Sequence, residues 1–171
     1  MPSLTEDKLR FDFPRGWEAT QYDNWAFYRN QFQDSCYGNK AVDFLAYQPH
    51  EDPLWLIEVK DYRMHRRTKP IPIWEEMALK ARDTLAGIVA THANGSDPER
   101  SWAGRSLRKP KLRFILHLEQ PAKHSALFPR ALEPAKIQEK IRQLIKQIDP
   151  HARVTELNHM NHVPWAVASI P

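Results

Sequence analysis

Three charged residues stand inside otherwise apolar, strand-like runs: Asp43 within residues 40–47 (KAVDFLAY), and Glu58 and Lys60 within residues 54–62 (LWLIEVKDY). Both runs are apolar on both alternating faces, the pattern of central strands covered on two sides. A carboxylate there is strongly disfavoured unless a partner or a cation accompanies it. Residues 48–53 are polar, hold two prolines and read as a hairpin loop. If Tyr47 pairs with Leu54 across that loop, Asp43 falls directly opposite Glu58, with Cβ atoms about 4.5–5.5 Å apart. Lys60, two residues on, shares their face, and a slip of one residue would break the arrangement. Two carboxylates that close repel unless a cation lies between them. An all-oxygen donor set without clustered Cys or His suits a hard ion, Mg²⁺ or Mn²⁺. An adjacent ammonium can orient or deprotonate an attacking water, or neutralise charge developing on a phosphorane.

The elements around these strands follow from periodicity and prolines. Residues 17–32 place Trp17, Gln21, Trp25, Tyr28 and Phe32 at helical spacing. Pro72 suits the first position of a long helix over residues 73–92, with Trp74, Met77, Ala78, Ala81, Leu85, Ile88 and Val89 as its apolar stripe. Residues 111–118 read as a third strand, residues 134–148 as an amphipathic helix, and residues 153–157 and 165–170 as short late strands. The expected order is α-β-β-α-β-α-β-β, an α/β sandwich around a mixed central sheet with helices on both faces. The step from residue 54 through residue 111 reads as a right-handed crossover. With 171 residues and no internal linker or repeat, one domain is expected over residues 1–171: a core at about 17–118, then a helix and short strands over 119–171.

The net charge of +4 is unevenly distributed. Residues 1–59 hold five Lys/Arg against ten Asp/Glu, residues 60–70 five basic residues and one acid, and residues 100–113 six basic residues and no acid. An acidic body with two basic segments suggests a polyanionic partner, although solvated loops would look the same. No stretch is apolar enough to span a membrane, no signal peptide is evident, and the single Cys36 rules out an internal disulfide, so a cytoplasmic protein is expected.

The pattern Asp43…Glu58-Val59-Lys60, on a hairpin between a helix and a helix–strand unit, resembles the PD-(D/E)XK nuclease superfamily, over about residues 17–118. The resemblance implies a restriction-endonuclease-like fold and a Mg²⁺-dependent hydrolase of phosphodiester bonds, with DNA the first-expected substrate and a homodimer one way to cut two strands. It assigns catalysis to Asp43, Glu58 and Lys60, and metal binding to Asp43, Glu58 and the main-chain carbonyl of Val59. Glu18 is a weaker candidate ligand from the first helix. Val42 stands where such families often have Pro. Arg63, His65, Arg66, Arg67 and Lys69 follow Lys60 directly, where a phosphate-binding loop would serve cleavage. Lys80 could reach a phosphate, and Arg105, Arg108 and Lys109 would extend the track. Two readings compete: a non-catalytic nucleic-acid-binding or assembly subunit on the same fold, and a buried salt bridge with no chemistry.

Weaker signals point elsewhere. Glu75, Glu76 and Lys80 read as a solvated helix face, Cys36 as a packing residue, and His159 with His162 as polar-loop residues rather than a zinc site. Trp102, in the second basic segment, could stack on a base or cap the core. No phosphate-binding P-loop, dinucleotide fingerprint or nucleophile elbow is present.

Overall fold

The computed structural model describes residues 1–51, 53–121, 132–160 and 162–171. Strands β1 (Ser3–Glu6) and β2 (Leu9–Asp12) form a hairpin whose turn holds Asp7 at φ +51°, a conformation Asp tolerates better than most residues. There follow β3 (Glu18–Gln21), β4 (Phe44–Tyr47), β5 (Leu54–Asp61), α1 (Ile73–Asn94), α2 (Glu99–Leu107), β6 (Leu112–Glu119), α3 (Pro134–Leu144), β7 (Arg153–Thr155) and β8 (Ala166–Ser169). A mixed five-stranded sheet runs β3-β4-β5-β6-β7, antiparallel across β3, β4 and β5 and parallel from β5 to β7. A smaller antiparallel sheet runs β1-β2-β8.

The β4–β5 register pairs Phe44 with Ile57, Leu45 with Leu56 and Ala46 with Trp55, as the loop length required. Leu45, Leu54, Leu56 and Leu116 face one core, shared with Ile73, Met77 and Ile88 of α1, Ala103 of α2, and Ile137 and Ile141 of α3. Phe44, Ile57, Val59 and Ile115 face a second core with Leu9, Phe11, Phe13 and Trp165. The expectation of helices on both faces is therefore corrected. Among the described residues, α1, α2 and α3 all cover one face, and the small sheet covers the other. An antiparallel sheet with one apolar side buries a neighbouring sheet as well as a helix does, so alternation along β4 and β5 could not distinguish them.

The helix expected over residues 17–32 is also absent. Residues 18–21 form β3 against β4, followed by a 3₁₀ turn at Tyr22–Asn24 and a π-helical turn at Tyr28–Phe32. Trp17 packs into the second core and Trp25 and Tyr28 into the first, so the apparent stripe serves two different faces. Pairing with β4 overrode the local pattern. The carboxylate of Glu99 takes hydrogen bonds from Ala26 N–H (2.6 Å) and Phe27 N–H (3.0 Å), anchoring this segment to α2. Cys36 is exposed rather than packed.

Close packing of this segment on α1 gives a testable result. A Cβ on Gly87 would lie 2.1 Å from the hydroxyl of Tyr22, which is fully buried. Gly87→Ala is expected to destabilise by about 1–3 kcal/mol, because the overlap outweighs the roughly 1 kcal/mol that alanine gains in a helix. Thermal unfolding checks this: an unchanged or raised Tm would mean that Tyr22 moves freely.

Candidate functional site

Asp43 is fixed by contacts on several sides. Just before it, Lys40 N–H donates to Asp83 Oδ2 (2.9 Å) and Val42 N–H to Thr84 Oγ1 (3.0 Å), both on α1. Its carbonyl accepts Tyr22 N–H (2.8 Å), and its Oδ2 accepts Val59 N–H (2.6 Å). Asp43 thus sits beside the Glu58-Val59-Lys60 segment, one step beyond the β4–β5 ladder, as the sequence arithmetic required.

Glu58 is fully buried on the α1 side of the sheet. Its Oε1 meets two ammonium groups, Lys60 Nζ and, at 2.6 Å, Lys80 Nζ from α1. Its Oε2 has no hydrogen-bond partner among the described residues. Lys60 Nζ also donates to the Val59 carbonyl (3.0 Å), the oxygen expected to face a metal.

Two acids that the sequence did not single out complete the cluster. Glu6, at the end of β1, and Asp23, in the turn after β3, each place a carboxylate oxygen within 4.8 Å of one on Asp43. Gln21 Nε2 holds Glu6 Oε2 at 3.0 Å, while Asp23 Oδ1 is buried without a partner among the described residues. The electrostatics follow from crowding. Burial, then the charge of Glu58, lifts the Asp43 carboxyl well above the usual carboxylate range; Lys80 and Lys60 offset this only partly. Burial also raises Glu6, reinforced by Asp23 and Asp7, and raises Asp23 against the opposing charge of Lys80. Burial favours the neutral amine at Lys60, but Glu58 and Asp43 outweigh it and hold the proton on Nζ.

The donor set fits a hard divalent cation. Four carboxylates face two ammonium groups, and an ion of charge +2 would balance the remainder. Glu58 Oε2 and Asp23 Oδ1 are buried oxygens in want of a partner. Neither Cys nor His belongs to the cluster.

Glu18, the weaker candidate ligand, is not brought to this cluster. It pairs with Tyr47 at the opposite end of β4, where its Oε2 accepts the Tyr47 hydroxyl (2.7 Å) and Arg105 Nη2 (3.0 Å). Glu6 and Asp23 stand where a further acid was sought. The contact that delivers Glu6, between β1 and Gln21 of β3, is long-range and leaves no local signal, and Asp23 lies in the segment whose spacing reads as a helix.

The first basic segment lies beside the site but is partly engaged. Arg63 pairs with Asp61 at 2.5 Å and donates to Ser169 Oγ. Arg67 donates to Glu76 Oε2 and to the Ile71 carbonyl, each at 2.6 Å, and Lys69 pairs with Glu76 Oε1. Glu76 is thus buried rather than on a solvated face, and the hydrogen bonds from Lys69 and Arg67 outweigh burial and hold its carboxyl below the usual range. Glu76→Ala is expected to cost about 2 kcal/mol at neutral pH, since two charge-assisted bonds are lost. The contribution is present above the unfolded carboxylate value and disappears as pH falls through the lower folded value. Denaturant melts of both proteins at pH 7 and pH 3 would check it; an equal difference at both would exclude an ionic tether. His65 and Arg66 are exposed at the tip of the loop.

The second basic segment lies away from the acid cluster. Arg105 is held by Tyr47 (2.8 Å) and Glu18, and Lys109 Nζ donates to the carbonyls of Gln48, Pro49 and Glu51 (2.6–2.8 Å). With Arg108 they line a concavity by the β4–β5 loop, at the opposite end of β5 from Lys60. Trp102 caps the core, its ring 5.7 Å from Trp25 and 4.9 Å from Tyr47. Among the described residues no helix is long and apolar enough to cross a membrane.

No family model and no solved structure matches the chain. Among curated proteins, it is 28% identical over 211 aligned residues to a cysteine–tRNA ligase of Neisseria meningitidis serogroup A / serotype 4A (strain DSM 15465 / Z2491). The match covers 99% of this chain and 30% of that protein, so the chain spans under a third of the length of the relative.

Proposed function

We propose that this chain is a metal-dependent nuclease with a restriction-endonuclease-like core. The observation that carries the reading is the grouping of Glu6, Asp23 and Asp43, whose carboxylate oxygens lie within 4.8 Å of one another, beside a fully buried Glu58 whose Oε2 has no hydrogen-bond partner among the described residues. The mixed sheet, the hairpin register and the following helix–strand unit support the fold assignment. A bound Mg²⁺ or Mn²⁺ would supply Lewis-acid polarisation of the phosphate and a more acidic water. Asp43, Glu58, Glu6 and Asp23 would hold it. Lys60, whose Nζ keeps its proton, would act as a fixed positive donor to a non-bridging phosphate oxygen rather than as a base. Lys80, its Nζ 2.6 Å from Oε1, orients the Glu58 carboxylate. His65 and Arg66, beyond Lys60, would hold the phosphodiester backbone.

One observation favours the alternative of a non-catalytic nucleic-acid-binding or assembly subunit: two ammonium groups already meet Glu58 Oε1. The relative is named for a reaction on tRNA, so structured RNA stands beside DNA as a substrate class. Purified protein incubated in Mn²⁺ or Mg²⁺ with single-stranded, duplex and branched DNA and with tRNA separates the readings. A nuclease cleaves at least one of them and stops in EDTA. A binding subunit cleaves none, yet retains salt-sensitive affinity that Arg66→Glu lowers.

A further inference from the structure

β3, only four residues long, joins two different surroundings. At one end Gln21 holds Glu6 of the acid cluster. At the other, Trp17 lines an open cleft of about 570 Å³ with Trp55, Pro14, Pro53 and Pro164. Trp17 and Trp55 are half-buried, and each meets the buried Trp165 edge-on, at 6.4 Å and 70° and at 5.1 Å and 90°. Packing on Trp165 therefore holds both indoles in place while leaving apolar surface open to the cleft.

A second concavity lies on the other side of the β4–β5 loop, with Glu51 common to both. It carries Arg105, Arg108, Lys109 and His50. Arg108 and His50 are exposed, and the hydrogen bonds of Lys109 go to neutral carbonyl oxygens that leave its charge uncancelled. Fixed aromatic surface beside surplus positive charge suits unpaired nucleotides, whose bases stack while their phosphates pair with cations. An apolar peptide would leave the cations unused, and a paired duplex would not present its base faces.

We infer that the Trp17–Trp55 cleft and the adjoining Arg108–Lys109 surface form a second nucleic-acid site, which takes a single-stranded segment of the substrate away from the acid cluster. The inference rests on the nucleic-acid reading of the protein, but not on cleavage. The four residues of β3 span about 13 Å, close to four nucleotides at the ~3.4 Å rise of a stacked strand. Nucleic acids with an unpaired flank of about that length beyond the phosphate nearest the acid cluster should bind best.

The test uses the full chain carrying Glu58→Gln, in EDTA, so that binding is read without cleavage. Single-stranded oligonucleotides containing 5-iodouracil are irradiated in the complex, crosslinked peptides are identified by mass spectrometry, and affinity is measured by anisotropy. Crosslinks to Trp17 or Trp55 are expected. Arg108→Glu, a surface change that leaves the tryptophan packing intact, should weaken single-strand binding about tenfold. Crosslinks confined to residues 60–76, or an Arg108→Glu protein that binds as tightly as its parent, would overturn the inference. Wild-type cleavage without cleft crosslinks removes this site alone. Cleft crosslinks without wild-type cleavage remove the nuclease reading and leave this one standing.

Discussion

Replacing Lys60 with methionine is expected to slow metal-dependent cleavage by about 10²–10³-fold, with little change in substrate affinity. Lys60 Nζ lies against Glu58 and the Val59 carbonyl, and its side chain is only 20% exposed. Methionine keeps most of the apolar stem but cannot donate to a phosphate oxygen. Lys80 remains 2.6 Å from Glu58, so the buried carboxylate keeps one partner and the fold should survive. Single-turnover rates on the substrate found to be cleaved, together with Tm in Mg²⁺, would measure both quantities. A variant that binds substrate poorly yet turns over normally once saturated would make Lys60 a phosphate anchor instead.

Asp43→Asn is expected to abolish cleavage and at the same time stabilise the metal-free protein. The Asp43 carboxyl is raised by burial and by Glu58, so the folded state resists its ionisation. That cost is absent below the ordinary carboxylate value, grows as pH rises between the unfolded and folded values, and is complete above the latter. Asparagine cannot ionise, and its Oδ1 can still accept Val59 N–H, now bonded at 2.6 Å. The gain should be about 0.5–2 kcal/mol at neutral pH, or about 2–6 °C in Tm, and should vanish below about pH 4. Glu6 and Asp23 are raised too and contribute with the same sign. Added Mg²⁺ should shrink the advantage, because only the wild type gains stability by binding it. Thermal melts in EDTA across this pH range decide the matter: a variant less stable than wild type at neutral pH would make Asp43 a structural partner of the lysines.

The site was legible where its geometry is local. Loop length fixed the Tyr47–Leu54 end of the hairpin, and the period of two then carried Asp43 across to Glu58. The long helix and the parallel strand after it were legible from a sustained apolar stripe and a short apolar run. What failed depended on distant partners. Glu6 reaches the site because the β1–β2 hairpin packs beneath the main sheet, a contact that nothing near residue 6 encodes, and Asp23 reaches it from the 3₁₀ turn that follows β3. Arg67 and Lys69 looked like phosphate ligands because the acid that binds them, Glu76, lies nine and seven residues further on, in a turn that read as solvated. Residues 17–32 kept a helical spacing while serving two cores. Charge counted along the chain therefore overstated the free cationic surface near Lys60, and the acidic excess of residues 1–59 understated how tightly its members converge.

End-labelled nucleic acid incubated with the wild-type chain and with Glu58→Gln, each in Mg²⁺ and in EDTA, tests the metal-dependent site most directly. Cleavage products from the wild type in Mg²⁺, and from none of the other three reactions, are the expected result. Equal cleavage in all four reactions, or none in any, would contradict it.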